Sequence, residues 1–249
     1  MRTPLIAGNW KMHLNLTEAA ELAVAVARVA EACTDREVMI APPFTSLARV
    51  REVCGPRLIL AGQNVCWEEK GAFTGEIAPP MLRELGCQMV IIGHSERRHV
   101  FGEDDQMINR RLRGAMAHGL VPILCIGETL EEHDAGRTME VLERQVRQGL
   151  DQIGLEDPAR LVIAYEPVWA IGTGKTATTA QAQEAHEFVR GVLADTGEKN
   201  IADGIRILYG GSVNAANVDD IMAQADVDGA LVGGASLSAE TFERIIRFA

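Results

Sequence analysis

Three residues that could perform acid–base chemistry, Glu166, His94 and Lys11, each stand at the end of a short apolar run. Burial raises the pKa of a carboxylate, so Glu166 is a candidate general base. His94 precedes Ser95, which we expect to cap a short helix. The positive end of that helix would favour a neutral imidazole that donates a hydrogen bond. Lys11 adds a positive charge, and together these residue types predict proton transfer on a small anionic substrate.

Two glycine pairs predict where the anion binds. Gly210-Gly211-Ser212 and Gly233-Gly234 each follow an apolar run. A glycine turn ahead of a helix exposes backbone N–H groups at the positive helix end, which suits a phosphate. Either pair alone is equally typical of a tight turn that needs positive φ. Two such pairs after consecutive strands favour a phosphate site.

Eight apolar runs separated by helix-like stretches would position these residues. Each run is apolar nearly throughout, as expected of parallel strands with both faces buried. The predicted strands are Leu5–Asn9, Glu37–Ala41, Leu58–Ala61, Met89–Ile92, Leu120–Ile126, Leu161–Glu166, Ile205–Tyr209 and Gly229–Val232. Apolar residues recur at helical spacing after Thr17, and again after Thr178 and Gln181, which have the spacing of a capping box. Both stretches are predicted helices. Eight strand–helix units predict an eight-fold barrel, although periodicity alone also fits a doubly wound sheet. In both, the active site lies at the carboxyl ends of the strands.

The composition limits the classes of protein that fit. The chain has 249 residues and a formal net charge of −11, which argues against nucleic acid or an anionic membrane as partners. Its five widely spaced cysteines include no C-x-x-C pair, which is typical of a reducing compartment rather than of a disulfide framework or a zinc site. No signal peptide or membrane-spanning run is visible. We expect a single-domain cytoplasmic protein.

The segment Pro167–Ala177 has the features of a hinged lid over Glu166. It begins with a proline, has an apolar-to-glycine tip at Ile171 and Gly172, and ends in small residues. Closing it would exclude water from a reactive intermediate. The same stretch formally matches a dinucleotide motif, but no strand directly precedes the glycines. It also approaches a Walker A motif, whose first glycine is replaced by Trp169. Neither nucleotide interpretation is retained.

Five motifs, in one order along the chain, resemble those of the triosephosphate isomerase family. They are Asn9–Met12, Ile92–Arg98, Ala164–Lys175, Tyr209–Val213 and Leu231–Leu237. The resemblance runs from end to end and implies an α/β fold, a single-domain (β/α)8 TIM barrel over residues 1–249. It implies an aldose–ketose isomerase that interconverts dihydroxyacetone phosphate and D-glyceraldehyde 3-phosphate through an enediolate, in glycolysis and gluconeogenesis. It implies no metal and no organic cofactor.

The resemblance also implies a role for each candidate residue. Glu166 would be the base that moves a proton between C1 and C2, and neutral His94 would be the electrophile at the substrate oxygens. Lys11 and Asn9 would hold the substrate, and Glu96 would support the site. The backbone N–H groups implied to bind the phosphate belong to Gly172, Ser212, Gly233 and Gly234.

A homodimer is a further implication of the resemblance. The segment 63–78 matches the family's interface loop, so Thr74 would reach into the neighbouring site near Lys11 and His94. The chain departs from the family pattern at His13-Leu14 and at Pro79-Pro80, which affects the dimer contact rather than the chemistry. Cys125 and the histidines other than His94 are interpreted as structural or solvated.

Two other functions stay open at this stage. One is a different phosphate-binding barrel enzyme, such as an isomerase or synthase of phosphoribosyl compounds. The compact Glu166 and His94 pair with a lid directly after Glu166 fits a three-carbon substrate better. The other is a catalytically silent dimeric binding protein, which the presence of Lys11, His94 and Glu166 disfavours.

Overall fold

A closed barrel of eight parallel strands forms the centre of the protein. The computed structural model describes residues 2–170, 177–197 and 199–249. The strands follow one another in sequence order, and β1 pairs with both β2 and β8. They are β1 Leu5–Asn9, β2 Glu37–Ala41, β3 Leu58–Gly62, β4 Met89–Ile92, β5 Val121–Ile126, β6 Val162–Tyr165, β7 Arg206–Tyr209 and β8 Gly229–Val232. The predicted barrel is confirmed, the doubly wound sheet is excluded, and every predicted strand end lies within one residue of the observed end.

Helices surround the barrel and connect its strands. Those described are α1 Leu16–Ala32, α2 Leu47–Val53, α3 Pro79–Glu84, α4 Ser95–His99, α5 Asp105–Ala117, α6 Leu130–Asp134, α7 Thr138–Gly149, α8 Thr179–Thr196, α9 Lys199–Gly204, α10 Val218–Met222 and α11 Ala239–Ile246. The predicted capping box of Thr178 and Gln181 begins α8. A second capping box, formed by Asn15 and Glu18, begins α1 ahead of the predicted position. Capping satisfies N–H groups that the first helical turn leaves without partners.

The strands are apolar on both faces because each face packs against a different core. Ala7 and Met39 belong to the inner cluster that fills the barrel. Ile6 and Ile40, one position earlier or later on the same strands, belong to the outer cluster beneath the helices. Since successive side chains of a strand point to opposite faces, two buried faces require continuous apolar runs. Polar residues can therefore stand only where the strands end.

Two strand ends come into direct contact beside the barrel mouth. The Glu166 N–H donates to the Ile126 carbonyl at 2.7 Å. A Cβ on Gly127 would lie 1.7 Å from the carbonyl oxygen of Glu166, so only glycine fits there. The contact fixes the backbone of Glu166 directly after β6.

Within the described residues, no helix is long and apolar enough to cross a membrane. The same part of the chain contains no group of three or more His, Cys, Asp or Glu residues placed to hold a metal ion.

The core contains one fully buried histidine, His186 of α8. Its Nδ1 donates to the Ala182 carbonyl at 2.6 Å, and its ring packs near Tyr165 and Tyr209. Burial lowers the pKa of His186 to about 4, because the charged imidazolium loses its hydration. The prediction that His186 is structural agrees with this environment.

We expect His186 to make the protein less stable in mild acid. In the unfolded chain the His186 side chain binds a proton below about pH 6.5, whereas in the folded protein it binds one only below about pH 4. The free energy of unfolding should therefore fall across this window, by about 3 kcal/mol from this group. Urea unfolding at stepwise pH should give a shallower slope for His186→Gln than for the wild type. The exposed control His99→Gln should keep the wild-type slope, and an equal slope in all three proteins would contradict the assignment.

Candidate active site

A cavity of about 340 Å³ opens at the carboxyl ends of the strands. Its lining consists of Asn9, Lys11, His94, Glu166, Gly210, Gly211, Ser212, Val213, Leu231, Gly233, Gly234 and Ala235. The structure thus brings together the predicted acid–base residues and both glycine turns. Of the remaining predicted residues, Glu96 lies beside Lys11, while Thr74 stands exposed in the 63–78 loop.

Glu166 and His94 are in direct contact at the floor of this cavity. Both are buried, with exposed fractions of 2% and 5%. The Nε2 atom of His94 lies 3.0 Å from Oε1 of Glu166, and the Ser95 N–H donates to Oε2 at 2.9 Å. Nδ1 of His94 accepts the Glu96 N–H at 3.2 Å, so the neutral ring carries its proton on Nε2. That proton faces the carboxylate.

The contact shifts the pKa values of both partners. Burial raises the pKa of Glu166, but His94, the Ser95 N–H and Lys11 outweigh burial and hold it below its ordinary value. Burial lowers the pKa of His94, but the carboxylates of Glu166 and Glu96 raise it above its ordinary value. The expected rise in the pKa of Glu166 is therefore wrong for this arrangement. It describes the contribution of burial alone.

Lys11 is held rigidly above the same cavity. Its backbone has a φ of +49°, a left-handed conformation that a non-glycine residue adopts only when its surroundings enforce it. The Lys11 N–H donates to Oδ1 of Asn9 at 3.0 Å, and the Gln63 amide donates to the Lys11 carbonyl at 2.7 Å. The ammonium group is 2.7 Å from Oε1 of Glu96. Strand ends β1 and β3 thus jointly aim one positive charge into the site.

The two glycine turns form the opposite wall. Gly233 precedes a 3-10 helix, Gly234–Leu237, in which the Ser236 N–H and hydroxyl both donate to the Gly233 carbonyl. The Asn217 amide donates to the Ser212 carbonyl at 2.9 Å and stabilises the turn after β7. The glycines present no side chain to the cavity, so a ligand can approach their backbone closely.

Comparison with known proteins identifies the chain's relatives. The family model described as triosephosphate isomerase matches residues 4–249. The chain belongs to the triosephosphate isomerase family. It is similar to the triosephosphate isomerases of Roseiflexus castenholzii, at 53% identity, and of Syntrophotalea carbinolica and Herpetosiphon aurantiacus, each at 52%. These similarities span 100% of this chain and 98%, 99% and 100% of the respective relatives. The predicted family and isomerase function are confirmed.

One local prediction about this triosephosphate isomerase site is wrong. His94, and not Ser95, is the N-cap of α4, and it caps with its ring nitrogen rather than with a hydroxyl. Because the helix cap lies one residue earlier than predicted, the Ser95 N–H is directed at Glu166. A sequence-based preference for serine as a cap favours the wrong residue, because the ring nitrogen supplies an equivalent acceptor.

Sequence reasoning missed Glu128, whose side chain is fully buried behind Glu166. Its Oε1 accepts from Nε1 of Trp169 at 2.7 Å and from the Tyr165 hydroxyl at 3.2 Å. The Val168 N–H donates to its backbone carbonyl at 3.1 Å. Glu128 therefore fixes the chain on both sides of Glu166. The available signal was its position two residues after β5, at the carboxyl end of a strand.

Part of the predicted lid lies outside the described residues. The segment 167–177 includes residues 171–176, which contain Gly172, one of the predicted phosphate-binding residues. In the described part, Val168–Ala170 form a 3-10 helix whose Trp169 is anchored on Glu128.

We expect Gly210→Ala to slow turnover by displacing Glu166. A Cβ at this position would lie 2.8 Å from Cγ of Glu166 and 3.1 Å from the Tyr165 carbonyl oxygen. Glu166 is the predicted base, and a displacement of a catalytic group by about 1 Å costs about a hundredfold in rate. The measurement is kcat together with the free energy of unfolding. Gly191→Ala, which meets no atom within 4 Å on α8, is the control and should keep wild-type kcat. Full activity in Gly210→Ala would exclude this positioning role.

Proposed function

We propose that Glu166 and His94 carry out the isomerisation of the triose phosphate at the floor of the barrel cavity. The observation that supports this most is the buried pair itself. It lines a cavity of about 340 Å³ together with Lys11 and the two glycine turns. The compact pair, with the lid segment directly after Glu166, favours a three-carbon phosphate over a phosphoribosyl compound. One side chain accepts a proton, the other donates a hydrogen bond, and the turns hold the charged end of the substrate.

Glu166 becomes an effective base by leaving its present partners. Moving toward a substrate carbon removes the Ser95 N–H and the His94 ring, two contacts that lower its pKa. Burial then dominates and raises its proton affinity. Glu166 takes the proton from C1 of dihydroxyacetone phosphate and returns it to C2, which gives glyceraldehyde 3-phosphate through the enediolate. The pKa of Glu166 thus rises when its carboxylate moves away from these partners.

His94 stabilises the charge that develops on the substrate oxygens. Once Glu166 moves away, the carboxylate that raises the His94 pKa is withdrawn, and burial favours the neutral ring. The Nε2–H then donates to the oxygens on C1 and C2. Lys11 adds a positive charge beside the same oxygens, and Asn9 adds a polar contact. Glu96 supports both residues, through its backbone N–H to His94 and its carboxylate to Lys11.

The phosphate is bound by backbone N–H groups of Gly172, Ser212, Gly233 and Gly234. The last three line the cavity, where bare backbone and the start of a 3-10 helix favour an anion.

The segment 167–177 closes over the substrate as a lid, because it follows the base directly and its first residues are anchored on Glu128. Closure would keep water from the enediolate and prevent elimination of phosphate to methylglyoxal.

Exchanging the carboxylate of Glu166 for an amide tests the assignment of the base. Glu166→Gln keeps the shape but cannot accept the proton, so kcat should fall by about a hundredfold or more. The measurement is a coupled assay that starts from glyceraldehyde 3-phosphate, with Glu21→Gln on the exposed face of α1 as the control. If Glu166→Gln retained wild-type kcat, another group would have to be the base.

The active unit is a homodimer, because the site is open beside an exposed apolar surface. Met12, Val100 and Phe101 are 93%, 72% and 65% exposed, which a monomer rarely tolerates in one region. Met12 and Phe101 line a second cavity of about 200 Å³ that also reaches Lys11 and His94. Thr74 of a second copy fits this cavity. The 63–78 loop that carries Thr74 is closed at its base by the Cys66 N–H bonding to the Ile77 carbonyl at 2.8 Å.

A bulky charged side chain at position 74 tests the dimer. Thr74→Arg should give a monomer whose kcat is reduced by about tenfold or more. The reason is that the arginine cannot be buried beside Lys11 without a partner for its charge. Sedimentation equilibrium and kcat measure the two effects. Thr196→Arg, an equal change at the exposed end of α8, should stay dimeric and active. A dimeric, fully active Thr74→Arg protein would remove this loop from the interface.

The cytoplasm is the compartment that fits the cysteines best. All five are free, and four of them are buried as thiols. Unpaired cysteines in this number suit a reducing environment.

A further inference from the structure

A groove of about 560 Å³ lies between α5 and α7, on the outside of the barrel. Three arginines line it, Arg110 and Arg113 from α5 and Arg147 from α7. Asp151 is its one acidic lining residue among those described. In a chain whose net charge is −11, this is a local excess of positive charge on a concave surface.

The arginines of α5 divide into one that is neutralised and two that are not. Arg111 points inward, where its guanidinium lies 2.7 Å from Glu76 and 3.0 Å from Glu103. Arg110 and Arg113 point outward and form no ion pair with any described residue. The guanidinium of Arg110 lies over the Trp67 ring, 5.8 Å from its centroid, and this contact brings no negative charge. Two unneutralised guanidinium groups therefore stand one helical turn apart at the groove.

The groove is held in a fixed shape by contacts that join its walls. The Asn109 amide donates to the carbonyls of Gly149 and Asp151 at 2.9 and 3.0 Å, which attaches α5 to the C-terminal end of α7. Arg147 is oriented by Glu143 at 2.8 Å and by Asp195 at 3.7 Å. A ligand would meet a rigid groove and one arginine, Arg147, that is oriented before it binds, which reduces the entropy lost on binding.

We infer that this groove binds a small organic molecule carrying two or three linked phosphate groups, separately from the barrel cavity. Guanidinium groups bind phosphate oxygens in pairs of parallel hydrogen bonds. Arg110 and Arg113 offer unpaired donors from α5, and Arg147 on α7 adds a guanidinium that Glu143 holds in place. Linked phosphates carry enough oxygens for all three guanidinium groups, whereas a single phosphate offers fewer acceptors. The volume is within the range of small-molecule sites. The amides of Gln106 and Gln148 and the carboxylate of Asp151 offer hydrogen bonds to the uncharged part of the ligand.

Calorimetric titration with adenosine diphosphate tests this site. The triose phosphates are kept at saturating concentration, so that the barrel cavity is occupied and cannot report the binding. We expect one equivalent bound per chain, with an affinity that falls as salt rises. Inorganic phosphate should bind more weakly than the diphosphate. No binding under substrate saturation, or equal binding of the two anions, would overturn the proposal.

Matched double variants separate a built site from general electrostatics. Arg110→Gln with Arg113→Gln should weaken adenosine diphosphate binding by about tenfold or more, because two charge-assisted contacts are lost. Arg28→Gln with Arg137→Gln makes the same change in net charge at exposed arginines outside the groove, and should leave the affinity unchanged. Equal weakening in both double variants would show that the anion responds to total charge alone. Both proteins should keep wild-type kcat, which establishes that they are folded.

Discussion

The site depends on one buried carboxylate and on how its charge is stabilised. Glu166 stands at the end of β6, where a charge without partners would cost several kcal/mol. It is retained because Nε2 of His94 lies 3.0 Å away and the Ser95 N–H donates at 2.9 Å. Both donors belong to the start of α4, so one short helix stabilises the charge of Glu166. Glu166 and His94, the proposed base and electrophile, therefore cannot be positioned independently of each other.

The closed barrel explains why the reactive groups converge. Every strand is buried on its inner and its outer face, so polar side chains are excluded from the strands and accumulate at their ends. All strands run parallel, so their carboxyl ends meet at one mouth. Glycine then supplies the closest contacts at that mouth, as at Gly127 against the Glu166 carbonyl and at Gly210 against its side chain. Architecture and catalytic geometry are thus set by the same packing requirement.

The strands and the main site residues could be predicted from the sequence because their signals are local. An apolar run followed by Glu166, His94 or Lys11 is visible without knowing any contact. The partners of these residues could not be predicted in the same way. Ser95 and Glu166 are 71 positions apart, and Glu128 and Trp169 are 41 apart. Such pairs are set by barrel closure, and the lowered pKa of Glu166 follows from them rather than from burial.

The distribution of positive charge distinguishes the groove from the barrel mouth. Lys11 is the one cation lining the barrel cavity among the described residues, and Glu96 lies 2.7 Å from it, so its charge is balanced. In the part of the chain that the structure describes, Arg110 and Arg113 have no such carboxylate, although the chain has 35 acidic residues to 24 basic ones. Exposed arginines gain little from ion pairing, so their lack of partners costs the fold almost nothing. A guanidinium without a carboxylate partner attracts phosphate more strongly than a paired one does, so the two unpaired arginines of α5 are the groove's decisive property.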